Sequence, residues 1–121
     1  MTEVNVWPTE LRLTKDRRTL VVTFETGERL ELPAEYLRVR SPSAEVQGHA
    51  PDQRKTVAGK RNVEILSIEE VGNYAVKLSF DDLHSTGIYT WDHLAELGRD
   101  YDRSWAAYLD ELAAKGLSRD R

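Results

Sequence analysis

The chain has 121 residues, 40% hydrophobic and 31% charged, with a formal net charge of −4 and no cysteine. This is the length and composition of one soluble globular domain, and it excludes disulfides, iron–sulfur ligation and thiolate zinc sites. The acidic balance argues against a protein built mainly to hold nucleic acid.

No apolar run is long enough to span a bilayer, and the polar N-terminus lacks the apolar core of a signal peptide. A cytoplasmic, reducing compartment with no membrane partner is expected. No repeat or boundary divides residues 1–121, which read as a single domain with residues 1–6 and 118–121 frayed.

Trp7-Pro8 opens the ordered part in extended conformation. Leu11 and Leu13 alternate with polar residues as in a half-buried strand, and Lys15 to Arg18 form a charged turn. Leu20, Val22 and Phe24 mark a second strand, Thr26-Gly27 a turn, and Leu30 and Leu32 a third strand, giving an antiparallel meander. Pro33 suits the first position of a short helical turn through Leu37. Ser41 is placed to cap another single turn, with Pro42 inside it and Gly48 ending it.

Val63 and Ile65 resume strand alternation. Ile68 falls on the other parity, which predicts a bulge near Leu66. After a Gly72-Asn73 turn, Tyr74, Val76, Leu78 and Phe80 face one way. Asp81 to Ser85 form a loop, and Ile88 to Thr90 a returning strand. Thr90 caps a helix through Leu97, with Tyr89 and Leu94 as a hydrophobic staple and Gly98 as the stop. Tyr101, Trp105, Tyr108, Leu109 and Leu112 recur at helical spacing in a last helix ending before Gly116. The sum is an α+β fold: an antiparallel sheet of about five to six strands with one or two C-terminal helices packed on one face.

Residues 38–61 carry six basic side chains (Arg38, Arg40, Arg54, Lys55, Lys60, Arg61) against two acidic ones (Glu45, Asp52), a local +4 on a body of −8. Such a connection is either a solvated loop or a functional one. Among the histidines, His84 lies beside Asp81 and Asp82, a trio that suits a weakly held divalent cation or, more commonly, a hairpin turn. His49 is available to join it from the loop, and His93 is expected on the surface. No GxSxG elbow, supported Ser–His–acid order or phosphate loop is recognisable, so no catalytic or cofactor-binding residue is assigned. Trp91 and Trp105 read as packing residues, and no aromatic is interleaved with the basic loop.

Five blocks then carry a resemblance: WPTELRL (7–13), LPAEYLRVRSPSAEVQGH (32–49), GKRNVEI (59–65), VGNYAVKLSFDDLHSTGIYTW (71–91) and LAELGRD (94–100). In this order they resemble the gamma-butyrobetaine hydroxylase-like N-terminal domain family, a domain of unknown function. The resemblance implies a module that precedes the catalytic jelly roll in eukaryotic carnitine-pathway dioxygenases and binds structural zinc there. A related domain is attached to Mrp-type ATPases carrying iron–sulfur clusters in chloroplasts, and in bacteria the domain stands alone without assigned activity.

By the same resemblance the zinc ligands are three cysteines and a histidine. Their positions hold Ser41, Ser43, Val46 and His84 in this chain, so the structural zinc is expected to be absent. The glycine usual before that histidine is Leu83 here, which predicts an atypical, strained hairpin. The dioxygenase activity belongs to another domain and does not transfer.

The expectation is therefore a non-catalytic interaction or accessory module linked to iron–sulfur or metallocofactor assembly. Its partner would be an Mrp-type ATPase or another assembly factor, met through Arg38, Arg40, Ser41, Ser43, Glu45, Lys60 and Arg61. The alternative is a metal-binding protein using His84 with Asp81 or Asp82.

Overall fold

The computed structural model describes residues 7–48 and 54–120. Strands β1 (Pro8–Leu13), β2 (Thr19–Phe24) and β3 (Arg29–Pro33) form the expected antiparallel meander, with β2 central. Leu20, Val22 and Phe24 on β2 are buried, as the period-two alternation requires. Val21 on the other face is buried too, in register between Arg12 and Glu31.

Helix α1 (Ala34–Val39) follows β3 directly, with Pro33 at the extended N-cap position and not inside the first turn. Helix α2 (Ala44–Gln47) is a single turn. Its cap is Ser43, whose Oγ accepts from Glu45 N–H, and Gly48 closes it at φ +70°. Ser41, expected as the cap, is engaged elsewhere.

The second half builds β4 (Ile65–Val71), β5 (Ala75–Phe80) and β6 (Gly87–Thr90), also antiparallel in sequence order. The pairing jumps from Ile65↔Phe80 to Ser67↔Ser79, so Leu66 is the bulged residue and points outward. The bulge lets Ile65 and Ile68 both turn to the core despite their unequal parity. Tyr74, expected on the inward face of β5, lies in the preceding turn and is exposed.

The single sheet of five to six strands is thus corrected to two three-stranded antiparallel sheets. Residues 34–64 intervene between β3 and β4 and place both short helices there, so β4 is not laid beside β3 as a hairpin partner. The sheets meet mainly through side chains: Leu20, Val22, Phe24 and Leu32 share one core with Ile65, Val76, Leu78 and Phe80. Each such side chain contributes about 1.5–3 kcal/mol on full burial.

Arg17 adds a polar tie between the sheets. It takes φ +62° in the β1–β2 turn. Its carbonyl accepts from Ile65 N–H (2.8 Å), and its Nη1 donates to Leu66 O (2.8 Å).

Thr90 caps α3 (Trp91–Arg99) by accepting from His93 N–H, as its position before the apolar pattern predicts. The helix runs through Gly98. A Cβ there would stand 2.5 Å from Leu30 Cδ1, so this glycine serves close packing on β3 and not helix termination.

Helix α4 (Tyr101–Ala114) ends at Gly116 (φ +65°). Leu117 N–H bonds Leu112 O and Gly116 N–H bonds Ala113 O, a Schellman closure. Residues 118–120, expected to fray, turn back onto the body: Gly59 N–H donates to Ser118 O and Arg61 N–H to Arg119 O. Residues 1–6 and 121 lie outside the described residues. Among those described, no helix is long and apolar enough to cross a membrane.

Candidate functional site

The end of α1 delivers the chain into Ser41-Pro42-Ser43 and α2, and the β5–β6 hairpin brings Asp81 to Thr86 against them. Ser41 and Ser43 are buried, as is His84 at 6% exposure. Ser41 Oγ lies 2.9 Å from His84 Nε2, and His84 Nδ1 lies 3.2 Å from Glu45 Oε1.

The donors follow from chemistry. A carboxylate favours a proton on the nitrogen that faces it, so Nδ1 carries the proton beside Glu45, and Nε2 accepts from the Ser41 hydroxyl. Ser41 Oγ in turn accepts from Ser43 N–H (3.2 Å). Thr86 Oγ1 donates to the same Glu45 oxygen, so Ser43 Oγ, 2.6 Å away, donates to Thr86. Glu45 N–H then closes onto Ser43 Oγ (3.1 Å). Five hydrogen bonds and the His84–Glu45 contact form a closed ring joining two segments about forty residues apart.

A second cluster adjoins it. One oxygen of Asp82 accepts Arg38 Nε (2.8 Å) and Lys60 Nζ (2.6 Å), and the other accepts His84 N–H (3.1 Å). Burial raises this carboxyl, but Lys60, the His84 amide and Arg38 together outweigh it and hold the group at about 2. His84 moves the same way for different reasons: burial, then Arg38, push it below its ordinary value against the pull of Glu45 and Asp82. The imidazole is therefore neutral near pH 7, the state in which Nε2 accepts from Ser41.

Ser41, His84 and Glu45 have the connectivity of a nucleophilic triad. They lack its access. Ser41 is 0% exposed, and a Cβ on Gly87 would come within 2.6 Å of its hydroxyl, so the oxygen is packed against the β6 backbone. No substrate carbonyl fits there, and the ring acts as a clasp.

A metal finds no better place. Among the described residues, no three His, Asp or Glu side chains are grouped to hold one. His84 faces Ser41 and Glu45, Asp82 faces Arg38 and Lys60, and Asp81 accepts from Glu64 N–H. His49 and Asp52 lie outside the described residues. The structural zinc that the family resemblance implies elsewhere does not fit these side chains either. Ser41 and Ser43 hydroxyls are poor ligands already committed to the ring, and buried Val46 offers no donor.

The expected partner surface is only partly a surface. Ser41 and Ser43 are buried, Arg38 is nearly so on Asp82, and Arg40 bonds Ser104 Oγ and its carbonyl. Glu45 and Arg61 reach solvent, and Lys60 does so in part. His93, expected at the surface, is half-buried, with Nε2 lacking a hydrogen-bond partner.

The feature that sequence flagged and structure sharpened is Leu83. It takes φ +74° and is 88% exposed at the hairpin tip. The Ser–His–Glu ring was missed because its members come from different segments. The available signal was Ser-Pro-Ser-x-Glu opposite a histidine that no surface role explains.

These features define a small α+β domain in which a serine–histidine–carboxylate ring locks a loop onto a hairpin. The chain belongs to the gamma-butyrobetaine hydroxylase-like N-terminal domain family, whose model matches residues 11–95. Two proteins with NMR solution structures are similar to it. One is 48% identical, covering 95% of this chain and 90% of its own, with a TM-score of 0.81. The other is 44% identical, covering 98% and 90%, with a TM-score of 0.83. A crystal structure of a protein of unknown function in the DUF971 family, from Acidithiobacillus ferrooxidans ATCC 23270, is 36% identical over 75% of this chain and 91% of its own, with a TM-score of 0.62. No curated protein matches the chain.

Proposed function

We propose that this domain is a non-catalytic docking module of the cytoplasm, accessory to iron–sulfur or metallocofactor assembly. Its partner is a protein of the Mrp-type ATPase class or another assembly factor. The observation that carries the docking reading is Leu83. A left-handed leucine costs on the order of 1–2 kcal/mol over glycine. Arg17 recovers its own left-handed cost through bonds to β4. Leu83 recovers nothing through its side chain, which stands in water.

The hairpin is nevertheless held in place from below by Asp82 and by the ring through His84. An apolar side chain presented at a rigid tip, with acidic Asp81 and Glu45 exposed nearby, suits an apolar pocket with a basic rim. The assembly role rests on the family's association with Mrp-type ATPases and not on the hairpin geometry.

The test is binding of purified Mrp-type ATPase to the wild-type chain and to Leu83→Gly, which keeps the backbone conformation. At least tenfold weaker binding by the variant is expected, with unchanged iron–sulfur enzyme activities in neither the deletion strain nor the variant strain. Equal binding by both proteins, or no binding by wild type together with normal iron–sulfur enzymes on deletion, sinks the proposal.

A further inference from the structure

A second carboxylate is buried away from the ring. Glu35, in the first turn of α1, is 6% exposed. Its two oxygens receive Nε (2.8 Å) and Nη2 (2.7 Å) of Arg119 side by side, and the guanidinium lies 5.1 Å from the centre of the Trp105 ring. Tyr36, Tyr101 and Tyr108 surround that indole at centroid distances of 6.2, 6.1 and 5.1 Å. A carboxylate fork beside an aromatic face selects a guanidinium over an ammonium. The planar cation meets both oxygens and stacks on the ring at once, whereas an ammonium has no plane to match.

The segment that brings Arg119 there sits on the body as a bound peptide would. Residues 113–118 and 120 are exposed, and Arg119 alone among them is partly buried. Its neighbours hold on through backbone: Gly59 N–H to Ser118 O (2.9 Å) and Arg61 N–H to Arg119 O (3.0 Å), with an exposed Arg61–Asp120 pair. Gly116 provides the bend from which the segment leaves α4. Lifting residues 117–120 forfeits little apolar burial, so the Glu35–Arg119 pair and the two backbone hydrogen bonds are what hold the segment down. Lifting it leaves Glu35 without its cation, so that a second guanidinium can take the vacated place.

We propose that Glu35 and Trp105 form a recognition site for an arginine side chain in an extended segment of a partner protein, with Arg119 as its internal competitor. An extended segment is favoured over free arginine because Gly59 and Arg61 offer N–H donors to successive carbonyls. The site is independent of the docking assigned to Leu83.

The test uses the full chain carrying Arg119→Ala and the peptide acetyl-Leu-Ser-Arg-Asp-amide, read by tryptophan fluorescence and by the NMR shift of the Trp105 indole. The variant should bind at least tenfold more tightly than wild type. Lysine in place of the peptide arginine should cost at least tenfold, and adding Glu35→Gln should abolish binding. A folded variant that ignores the peptide at millimolar concentration overturns the proposal, as does equal binding of the arginine and lysine peptides. If Arg119→Ala does not fold, labelled wild type with excess unlabelled peptide decides. Movement of the Arg119 Nε–H resonance to its free position is expected, and an unmoved resonance at millimolar peptide overturns the site.

Discussion

Ser41→Ala tests whether the ring is what holds the loop to the hairpin. The hydroxyl makes two contacts there, donating to His84 Nε2 (2.9 Å) and accepting from Ser43 N–H (3.2 Å). Alanine leaves both partners without a bond, and His84 and Ser43 are each over nine-tenths buried. A buried polar group stripped of its partner costs about 1–3 kcal/mol, so the pair should cost about 2–4 kcal/mol after local relaxation. For a domain of this size that lowers Tm by roughly 6–20 °C. Urea unfolding should show a reduced midpoint with an unchanged slope.

Ser85→Ala, one residue past His84 and exposed, is the control and should stay within about 0.5 kcal/mol. Combining Ser41→Ala with His84→Ala should cost less than the sum of the two, because each removes the same bond. A Ser41→Ala loss below about 0.5 kcal/mol, or strict additivity with His84→Ala, refutes the clasp.

Leu83→Gly should raise stability by about 0.5–1 kcal/mol, because the relieved left-handed strain exceeds glycine's extra chain entropy; a lower urea midpoint would contradict the strain argument. Acid should weaken the fold in two stages, followed by pH-dependent urea melts. His84 and His93 are depressed from the ordinary 6.5 by burial, so the unfolded chain binds protons first and stability falls as pH drops below that value. Asp82, held at about 2 against an ordinary 3.8, adds a further loss as pH falls through that lower window. His84→Gln should flatten the upper stage, and an unchanged upper stage would show that His84 is not buried neutral. Elemental analysis of untagged protein should give the same metal content for wild type and His84→Ala. Stoichiometric metal lost in the variant would revive the metal reading.

Much of the fold was legible locally. The alternation in β2 and β5, the parity switch that puts a bulge at Leu66, the Thr90 cap and the left-handed Gly27 and Gly116 each follow from a few adjacent residues. Leu83 was legible as a backbone problem only through the family resemblance, which implies a glycine there; the structure puts it at φ +74°, where a side chain is strained. Local rules misplaced Gly98, which satisfies the pattern of a helix stop but is required by Leu30 on another strand.

What the sequence determined by itself was therefore the short-range set: elements, caps, turns and the absence of thiol ligands. Tertiary structure decided which side chains meet. Ser41 and His84 are 43 residues apart, and Glu35 and Arg119 are 84 apart. No periodicity encodes such pairs, because their geometry exists only once two sheets and α4 have packed around the intervening chain. The same packing turned an apparently basic loop into one whose Arg38, Arg54 and Lys60 are spent on Asp82 and Glu111. Net charge along a segment counts side chains, whereas recognition depends on which of them burial and pairing leave free.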